Sequence, residues 1–478
     1  MAQSQYTVPF FIGGEERKSE STFDVTSPAT GNVIHKCSGA SEADAEAAVD
    51  AAVKALPAWR KLPPAKRRNY FLKAADIMES RREELAGYMV DETGGARQWA
   101  DFNLTTAIDL IRDVAGRLAT IEGSVVNTAS ENVSAMVLKE PFGVVLAIAP
   151  WNAPYILGVR AVAFPMAVGN TVVFKASELS PRVMWGIVSC FHEAGIPGGV
   201  LNMIAHAPRD ASAVTTALIA SPAIKKINFT GSTGVGRIIA KLAGEHLKPV
   251  LLELGGKAPA IVWEDADLSL AAVQCTLGAF LHGGQICMST ERIIVHKAVR
   301  GQFEKELAGA MGKIFPSEGD APVLITEAAV GKTTKLVQDA LDKGASLVAG
   351  AVPSSGSEGK ARMRPIAIGG VTQQMDIFAT ESFGPSVAIY EVETEEEALK
   401  LANDTEYGLS SAVFTGDLSR GLRFARDIES GAVHINSMSV HDEPGLPHGG
   451  AKASGYGRFN ATAGLEEWVR TKVVTFPI

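Results

Sequence analysis

The stretch "NTVVFKASELSPRVMWGIVSCFHEAG", residues 170–195, decides the predicted fold. It opens with a β-branched apolar run typical of a buried strand and continues with apolar residues at helical spacing. Gly195 then supplies a natural helix end, because glycine adopts left-handed backbone angles at little steric cost. A strand that passes directly into a helix is the repeating unit of a parallel sheet covered by helices on both faces.

The same alternation continues along the chain. Residues 233–244 have a helical pattern, and further strands are predicted from "VVLAIAP" (144–150), "VLNMI" (200–204), "KKINFT" (225–230) and "PVLLEL" (249–254). After Gly255 and Gly256 a second series begins, with a helical pattern over 268–284 and the strand-like runs "ERIIVH" (291–296), "SVAIYEV" (386–392), "SAVFTG" (411–416) and "GAVHIN" (431–436). We therefore predict an α/β protein with two parallel-sheet domains that meet near residue 255.

Two segments stand apart from this alternation. The final apolar run "TKVVTFPI" (471–478) has no helix after it. Since an exposed edge strand invites unwanted pairing, we expect this strand to have a partner, for example in another subunit. The polar stretch "VPSSGSEGK" (352–360) predicts a surface loop.

Composition narrows the class of protein. A chain of 478 residues is too long for one ordinary core, and 46% hydrophobic with 21% charged residues is typical of a folded globular protein. A net charge of −8 gives no electrostatic surface for nucleic acid or an anionic membrane, so neither is expected as a partner. The first twenty residues lack a signal-peptide pattern, and no run of about 18 apolar residues predicts a transmembrane helix.

The four cysteines, Cys37, Cys190, Cys275 and Cys287, are scattered and form no C-x-x-C pair. That spacing argues against a disulfide framework and against a zinc ribbon, so a reduced, cytoplasmic protein without a structural metal is expected. Cys287 follows the glycines of "HGGQICMST" (282–290), where the backbone allows close approach of a ligand. Its thiol could be packing, a metal ligand, half of a disulfide or a nucleophile, and for an isolated cysteine packing is the commoner outcome.

Two further polar residues follow predicted strands. Glu253 ends the strand of "LELGGKAP" (252–259), at the sheet edge where α/β enzymes build their sites, and could serve as a general base or form a surface ion pair. Asn152, in "APWNAPYILGVR" (149–160), could donate to a developing oxyanion or simply stabilise a turn. Pro154 in the same stretch is expected to prevent a helix from starting at once.

Two segments suggest a nucleotide-binding site. In "FTGSTGVG" (229–236) glycines lie between a strand and a helix, where phosphates can reach the helix N-terminal amides, although the spacing is not G-x-G-x-x-G. In "FKASE" (174–178), Lys175 and Glu178 follow a strand, and an acidic residue there could bind ribose hydroxyls. A plain surface ion pair is the alternative for these two residues.

In combination, and in this order, the motifs "PWNAP", "FKASE", "FTGSTGVG", "LELGGKAP", "GQIC" and "ESFGP" closely resemble the aldehyde dehydrogenase superfamily. The resemblance extends from "FFIGGE" (10–15) to "SGYGR" (454–458). It implies two Rossmann-like domains and a small β element that joins subunits into homodimers or homotetramers. The implied divisions are a NAD-binding domain of residues 1–125 and 142–254, a catalytic domain of 255–445, and a bridging element of 126–141 and 460–478.

The resemblance also implies a reaction. Cys287 would attack the aldehyde carbon, and Asn152 together with the Cys287 backbone amide would hold the oxyanion. Hydride transfer to NAD would leave a thioester, which water activated by Glu253 would hydrolyse to a carboxylic acid.

Cofactor positions follow from the same resemblance. Lys175 and Glu178 match residues at the adenosine ribose, and Glu178 would favour NAD over NADP, while the neighbouring lysine could tolerate a 2′-phosphate. Ser232 matches a residue near the pyrophosphate, and the remaining cofactor positions are Trp151, Gly231, Leu254, Glu381 and Phe383.

The segments "GQICMSTERIIVH" and "PWNAPYILGVRA" look most like the branch of salicylaldehyde, vanillin and benzaldehyde dehydrogenases. Arg160 matches an arginine near the substrate tunnel of that branch, where it could favour ring hydroxyls, or it could be a structural ion pair. The expected tunnel lining suits a flat apolar substrate and consists of Trp99, Tyr155, Leu281, Met288 and Leu446. The alternatives are the same chemistry on an aliphatic aldehyde or semialdehyde, a coenzyme A-acylating relative, and a protein that keeps the fold without activity.

Overall fold

The computed structural model describes residues 6–352 and 361–478. The surface loop expected at 352–360 therefore lies outside the described residues, apart from Val352. The strands are β1 Thr7–Val8, β2 Phe10–Ile12, β3 Glu15–Arg17, β4 Thr22–Thr26, β5 Val33–Ser38, β6 Ser124–Asn127, β7 Val133–Pro141, β8 Val144–Ile148, β9 Thr171–Lys175, β10 Leu201–Ile204, β11 Ile224–Thr230, β12 Val250–Glu253, β13 Ala258–Val262, β14 Thr290–His296, β15 Ser346–Ala349, β16 Ile366–Gly369, β17 Ser386–Val392, β18 Ala412–Phe414, β19 His434–Ile435, β20 Gly455–Tyr456 and β21 Val469–Pro477.

Helices alternate with these strands. They are α1 Glu42–Lys61, α2 Pro64–Ser80, α3 Arg82–Thr93, α4 Arg97–Arg117, α5 Pro154–Ala167, α6 Pro181–Glu193, α7 Ala211–Ala220, α8 Thr233–Glu245, α9 Leu268–Phe280, α10 Arg300–Ile314, α11 Glu327–Asp342, α12 Asp376–Ala379, α13 Glu395–Asn403, α14 Leu418–Asp427 and α15 Ala461–Glu466. None of the helices in the described ranges is both long and apolar enough to cross a membrane.

An eight-stranded sheet organises the first half of the chain, in the order β20-β12-β11-β8-β9-β10-β2-β3. The five strands from β12 to β10 are parallel, and β20, β2 and β3 add antiparallel edges. The central strands β8 and β9 are buried at every position because helices cover both faces of the sheet. The predicted parallel α/β domain is confirmed.

The helix predicted after "TVVFK" is also present. α6 begins with Pro181 in its first turn, where the missing N–H costs no intrahelical hydrogen bond. The chain then turns at Gly195, whose φ is +89°. The same reasoning corrects the expectation for Pro154: it is the first residue of α5 and does not delay that helix, because proline's fixed φ already suits a first turn.

A second sheet carries the other half of the chain, in the order β15-β16-β17-β14-β13-β18-β19. All its pairs are parallel except that of β15 with β16. The chain passes between the two sheets at Gly255 and Gly256, directly after β12. Near its end it returns to the first sheet, where β20 pairs with β12.

The terminal strand has its partner within the same chain. β21 pairs antiparallel with β7 over nine residues, in a small sheet of order β21-β7-β6. Its opposite edge makes no strand pairing within residues 6–352 and 361–478. The segment just before it forms α15, which contacts helices α4 and α5 of the first half.

Candidate active site

Cys287 and Glu253 lie side by side where the two sheets meet. Glu253 is the last residue of β12, and Cys287 lies in the loop between the 3₁₀ turn Leu281–Gly284 and β14. The Cys287 Sγ donates to Glu253 Oε1 over 2.9 Å. Asn152, which follows β8, lies beside them, and its Nδ2 donates to the Gln285 carbonyl oxygen over 2.9 Å. An amide carries two N–H groups, so the second remains for another acceptor.

Glycines allow the chain segments to meet this closely. A Cβ at Gly256 would lie 2.0 Å from the Cys287 carbonyl oxygen, and one at Gly284 would lie 2.3 Å from the Gly384 carbonyl oxygen. Gly284 also has a φ of +72°, which side chains disfavour. Both distances are far inside van der Waals contact, so any side chain at either position would displace the cysteine loop.

Burial and the neighbouring Glu253 carboxylate determine whether the Cys287 thiol is protonated. Burial raises the pKa of Cys287 well above its ordinary value, and the neighbouring Glu253 carboxylate raises it further. The thiol therefore holds its proton at neutral pH in the free protein and needs a base to become a nucleophile. Glu253 is the carboxylate in contact with the sulfur: its side chain is fully buried, and its Oε2 has no hydrogen-bond partner among the described residues.

Two cavities meet at the cysteine. One, of about 240 Å³, has an almost wholly apolar wall, and the other, of about 250 Å³, lies over the carboxyl ends of β8, β11 and β12. Asn152, Leu157 and Cys287 line both cavities. Molecules bound in the two cavities could therefore both reach the same sulfur.

Most of the expected tunnel residues line the apolar cavity. Its wall comprises Gln98, Trp99, Phe102, Asn152, Ala153, Ile156, Leu157, Arg160, Leu281, Ile286, Cys287, Met288, Met438, Val440, Asp442 and His448. Two predictions are corrected. Tyr155 is fully buried in the helical core, where its hydroxyl donates to the Leu85 carbonyl oxygen over 2.6 Å. Leu446 is 49% exposed at the surface and does not line this cavity.

Arg160 fits both of the interpretations left open for it. Its guanidinium forms a buried ion pair with Asp442 and donates from Nε to Asn460 Oδ1 over 3.2 Å. It also lines the apolar cavity, and its buried Nη1 has no hydrogen-bond partner within the described ranges. The ion pair therefore holds a cation at the cavity wall with the two N–H groups of Nη1 still available.

The second cavity is lined by six of the residues expected to bind the cofactor. Trp151, Gly231, Ser232, Leu254, Glu381 and Phe383 line it, together with Glu253. Ser232 precedes α8 but makes no side-chain capping bond, so the first-turn N–H groups of that helix are left for an anion such as a phosphate. Burial raises the pKa of Glu381 to about 7, and its Oε1 accepts from the Gly256 N–H over 2.8 Å. This donor set fits a dinucleotide.

Lys175 and Glu178 lie apart from that cavity. Lys175 ends β9, and its Nζ is 3.7 Å from Glu178 Oε2. Neither residue lines the cavity at Cys287. Six of the eight expected cofactor residues therefore line one cavity, and Lys175 and Glu178 do not.

Four residues of the site were not anticipated from the sequence. Asp442 and His448 line the apolar cavity, and Lys257 with Glu291 lies behind the loop that carries Glu381. His448 directly precedes two glycines shortly before "SGYGR", and a histidine beside a glycine pair was the available signal. In the described part of the chain no group of His, Cys, Asp and Glu is arranged to bind a metal, and all four cysteines are free.

Comparisons with known proteins agree with this architecture. Residues 15–474 match the aldehyde dehydrogenase family. The chain is 45% identical over 477 residues to a vanillin dehydrogenase of Pseudomonas sp. strain HR199, with 98% of each chain covered. It is 39% identical to a salicylaldehyde dehydrogenase of Pseudomonas sp. strain C18, covering 96% of this chain and 95% of that one. The crystal structure of a salicylaldehyde dehydrogenase from Pseudomonas putida G7 complexed with salicylaldehyde superposes with a TM-score of 0.94 at 38% identity, covering 98% of both chains.

A single family therefore accounts for almost the whole length of the chain. The chain belongs to the aldehyde dehydrogenase family.

Proposed function

We propose that this protein oxidises aromatic aldehydes to carboxylic acids with NAD as the preferred oxidant. The observation that carries the proposal is the 2.9 Å contact between Cys287 Sγ and Glu253 Oε1 at the junction of an apolar cavity and a polar one. Nicotinamide dinucleotides serve the family as oxidants. When bound, NAD supplies the acceptor for the hydride that the aldehyde carbon releases.

The first half of the reaction uses all three predicted catalytic residues. Glu253 takes the proton from the Cys287 thiol, and the thiolate forms a bond to the aldehyde carbon while the carbonyl electron pair moves to oxygen. The free N–H of Asn152 Nδ2 and the Cys287 backbone amide stabilise that oxyanion. Loss of hydride from the carbon then leaves a thioester on Cys287.

The second half uses Glu253 again. Its carboxylate takes a proton from water, whose oxygen attacks the thioester carbon. The carbon–sulfur bond breaks, the acid leaves, and Cys287 recovers its thiol. Both halves need the same carboxylate, and its burial beside the sulfur keeps it within reach of either proton.

Cofactor binding would rest on the polar cavity. The N-terminus of α8 after Ser232 would receive phosphate oxygens, and Glu381 would accept from ribose hydroxyls. The preference for NAD over NADP rests on Glu178, whose carboxylate would repel a 2′-phosphate, while the paired Lys175 moderates that repulsion.

The aromatic substrate class is supported by the shape and chemistry of the other cavity. Trp99, Phe102 and Leu281 give it flat apolar walls, which suit a ring better than a charged semialdehyde. The available Nη1 of Arg160 could hydrogen-bond a ring oxygen. The relatives named for vanillin and salicylaldehyde point to the same class.

We further infer a reduced, cytoplasmic homodimer or homotetramer. Four free cysteines suit a reducing compartment. The open edge of β21 offers backbone groups through which a second subunit could extend the small sheet.

The test is an assay of a panel of aldehydes, in which the absorbance of reduced nicotinamide measures the rate of each reaction. Salicylaldehyde, vanillin, benzaldehyde, hexanal and succinic semialdehyde are each assayed with NAD and with NADP. The proposal expects the highest kcat/KM for an aromatic aldehyde with NAD. A higher kcat/KM for hexanal or succinic semialdehyde would contradict the aromatic substrate class but not the cysteine mechanism. If acyl-coenzyme A forms when coenzyme A is added, the acyl group of the thioester is transferred to a thiol and not to water.

A further inference from the structure

Glu253 faces a difficulty that the proposed reaction creates. Once it has taken the proton of the Cys287 thiol, it is a neutral acid and can no longer accept a proton from water. It must therefore lose that proton between the two halves of the reaction. Its side chain is fully buried and lines the polar cavity, which the dinucleotide would fill during the reaction, so release of the proton on that side is obstructed.

His448 is placed to receive this proton. Its Nε2 lies 3.8 Å from Glu253 Oε1, and in the described part of the chain it is the one basic side chain within 4.0 Å of that carboxylate. A distance of this size in a free enzyme closes to hydrogen-bond length with a small rotation or through one water. The His448 side chain is 10% exposed and lines the apolar cavity, which gives it a route to solvent on the side away from the polar cavity.

The backbone fixes this position. His448 and Phe459 exchange both hydrogen bonds of an antiparallel bridge, over 2.9 and 2.7 Å. The next residue, Gly449, would bring a Cβ within 2.5 Å of the Gly457 carbonyl oxygen, so glycine is required for the chain to pack there. The backbone at His448 is therefore held by the bridge to Phe459 and by the close packing at Gly449.

Apart from Cys287, the other described ionisable groups around the two cavities do not contact Glu253. Glu381 and Lys332 share the polar cavity with it, but within the described residues neither is hydrogen-bonded or ion-paired to it. Asp442 is held by Arg160 and Asn460, and Lys257 is held by Glu291. The charges that act on His448 come from several elements. They include Glu253 of β12, whose Oε1 lies 3.8 Å from it, and Asp442 and Arg160, which line the same cavity. Imidazole is the side chain whose ordinary chemistry allows it to accept and release a proton near neutral pH, as a proton carrier must in each turnover.

We propose that His448 resets the catalytic base by taking the proton from Glu253 between thioester formation and hydrolysis. The Oε1–H bond of Glu253 breaks as an Nε2–H bond forms on neutral His448, and the imidazolium then releases a proton through the substrate cavity. No electron changes hands, and the overall reaction still releases its protons to water. The inference rests on the proposed cysteine mechanism but not on the identity of the aldehyde.

The experiment compares His448→Phe and His448→Gln with the unchanged enzyme in stopped-flow assays of NADH formation. Phenylalanine keeps the ring volume without a titratable group, and glutamine keeps polarity without one. We expect both variants to form about one NADH per subunit in a rapid first phase and then to turn over about 100-fold more slowly, at the lower end of what proton-transfer groups contribute. Added imidazole should restore part of the slow rate in the glutamine variant.

A matched control is His441→Phe, since His441 pairs with Glu443 at the surface. This variant should keep both the first phase and the steady rate. Unchanged turnover in both His448 variants would overturn the proposal. So would loss of the rapid phase together with the steady rate, because that result places His448 in thiol activation or in folding. If aromatic aldehydes give no NADH but hexanal does, only the substrate class fails, and the same assay is run with hexanal.

Discussion

Lys257 Nζ lies 2.6 Å from Glu291 Oε2, and both side chains are excluded from solvent. Glu291 also accepts from the backbone N–H groups of Ser382 and Phe383, over 2.9 and 3.2 Å. One buried ion pair therefore anchors the turn that carries Glu381 and Phe383 into the polar cavity. Phe383 itself has a φ of +48°, a strained backbone that persists only where its surroundings hold it.

Breaking that pair should loosen the turn and destabilise the protein. Glu291→Gln leaves the Lys257 ammonium buried without its counter-charge, which typically costs about 3–5 kcal/mol of unfolding free energy. The KM for NAD should rise because Glu381 and Phe383 lose their support. Urea unfolding and steady-state kinetics measure the two effects. The double variant Lys257→Met/Glu291→Gln removes the buried ammonium and keeps an amide oxygen for the two backbone N–H groups, so it should recover stability relative to Glu291→Gln. A double variant as unstable as the single one would contradict the pair's role.

The cysteine assignment predicts a separation of binding from turnover. Cys287→Ala should abolish NADH formation while NAD still binds, since the sulfur is required for the covalent step and lies at only one corner of the polar cavity. Turnover by absorbance and binding by tryptophan fluorescence give the two quantities. Cys275→Ala is the matched control, because that thiol is packed in the core of the second domain. Retained turnover in Cys287→Ala would end the nucleophile assignment.

The fold could be predicted from local sequence patterns. The residues that line the site could be predicted only in part, because their positions depend on packing between distant segments. Runs such as "TVVFK" predict strands because burial on both faces demands continuous apolar residues. Trp99 and Tyr155 are both aromatic residues on helices, yet one lines the cavity and the other donates to Leu85 in the core. Which helical face meets a cavity is set by packing between distant segments. His448 reaches Glu253 only because β20, later in the same segment, returns to pair with β12.

Glu381 should make NAD binding depend on pH near neutrality. Its pKa of about 7 in the free protein means that the carboxyl is mostly protonated at pH 6 and mostly ionised at pH 8. Ribose hydroxyls that donate to it bind the ionised form more tightly, so binding releases a proton and the affinity rises as pH increases through 7. Fluorescence titration of Cys287→Ala with NAD at several pH values measures this without turnover. Glu381→Gln should bind more weakly with a flat profile, and an equally steep profile would show that another group is responsible.

Arg160 should discriminate among ring substituents. A hydrogen bond from its free Nη1 to a phenolic oxygen would favour salicylaldehyde or vanillin over benzaldehyde, by about tenfold if it contributes about 1.5 kcal/mol. Because the same guanidinium neutralises buried Asp442, Arg160→Leu alone would leave a bare carboxylate in the cavity wall and confuse specificity with stability. The informative variant is Arg160→Leu/Asp442→Leu, which removes both charges. It should keep kcat/KM for benzaldehyde within a few-fold while losing the advantage of the hydroxylated aldehydes. If that advantage survives in the double variant, the ion pair serves only the structure, and discrimination has to arise from the apolar wall around Trp99 and Leu281.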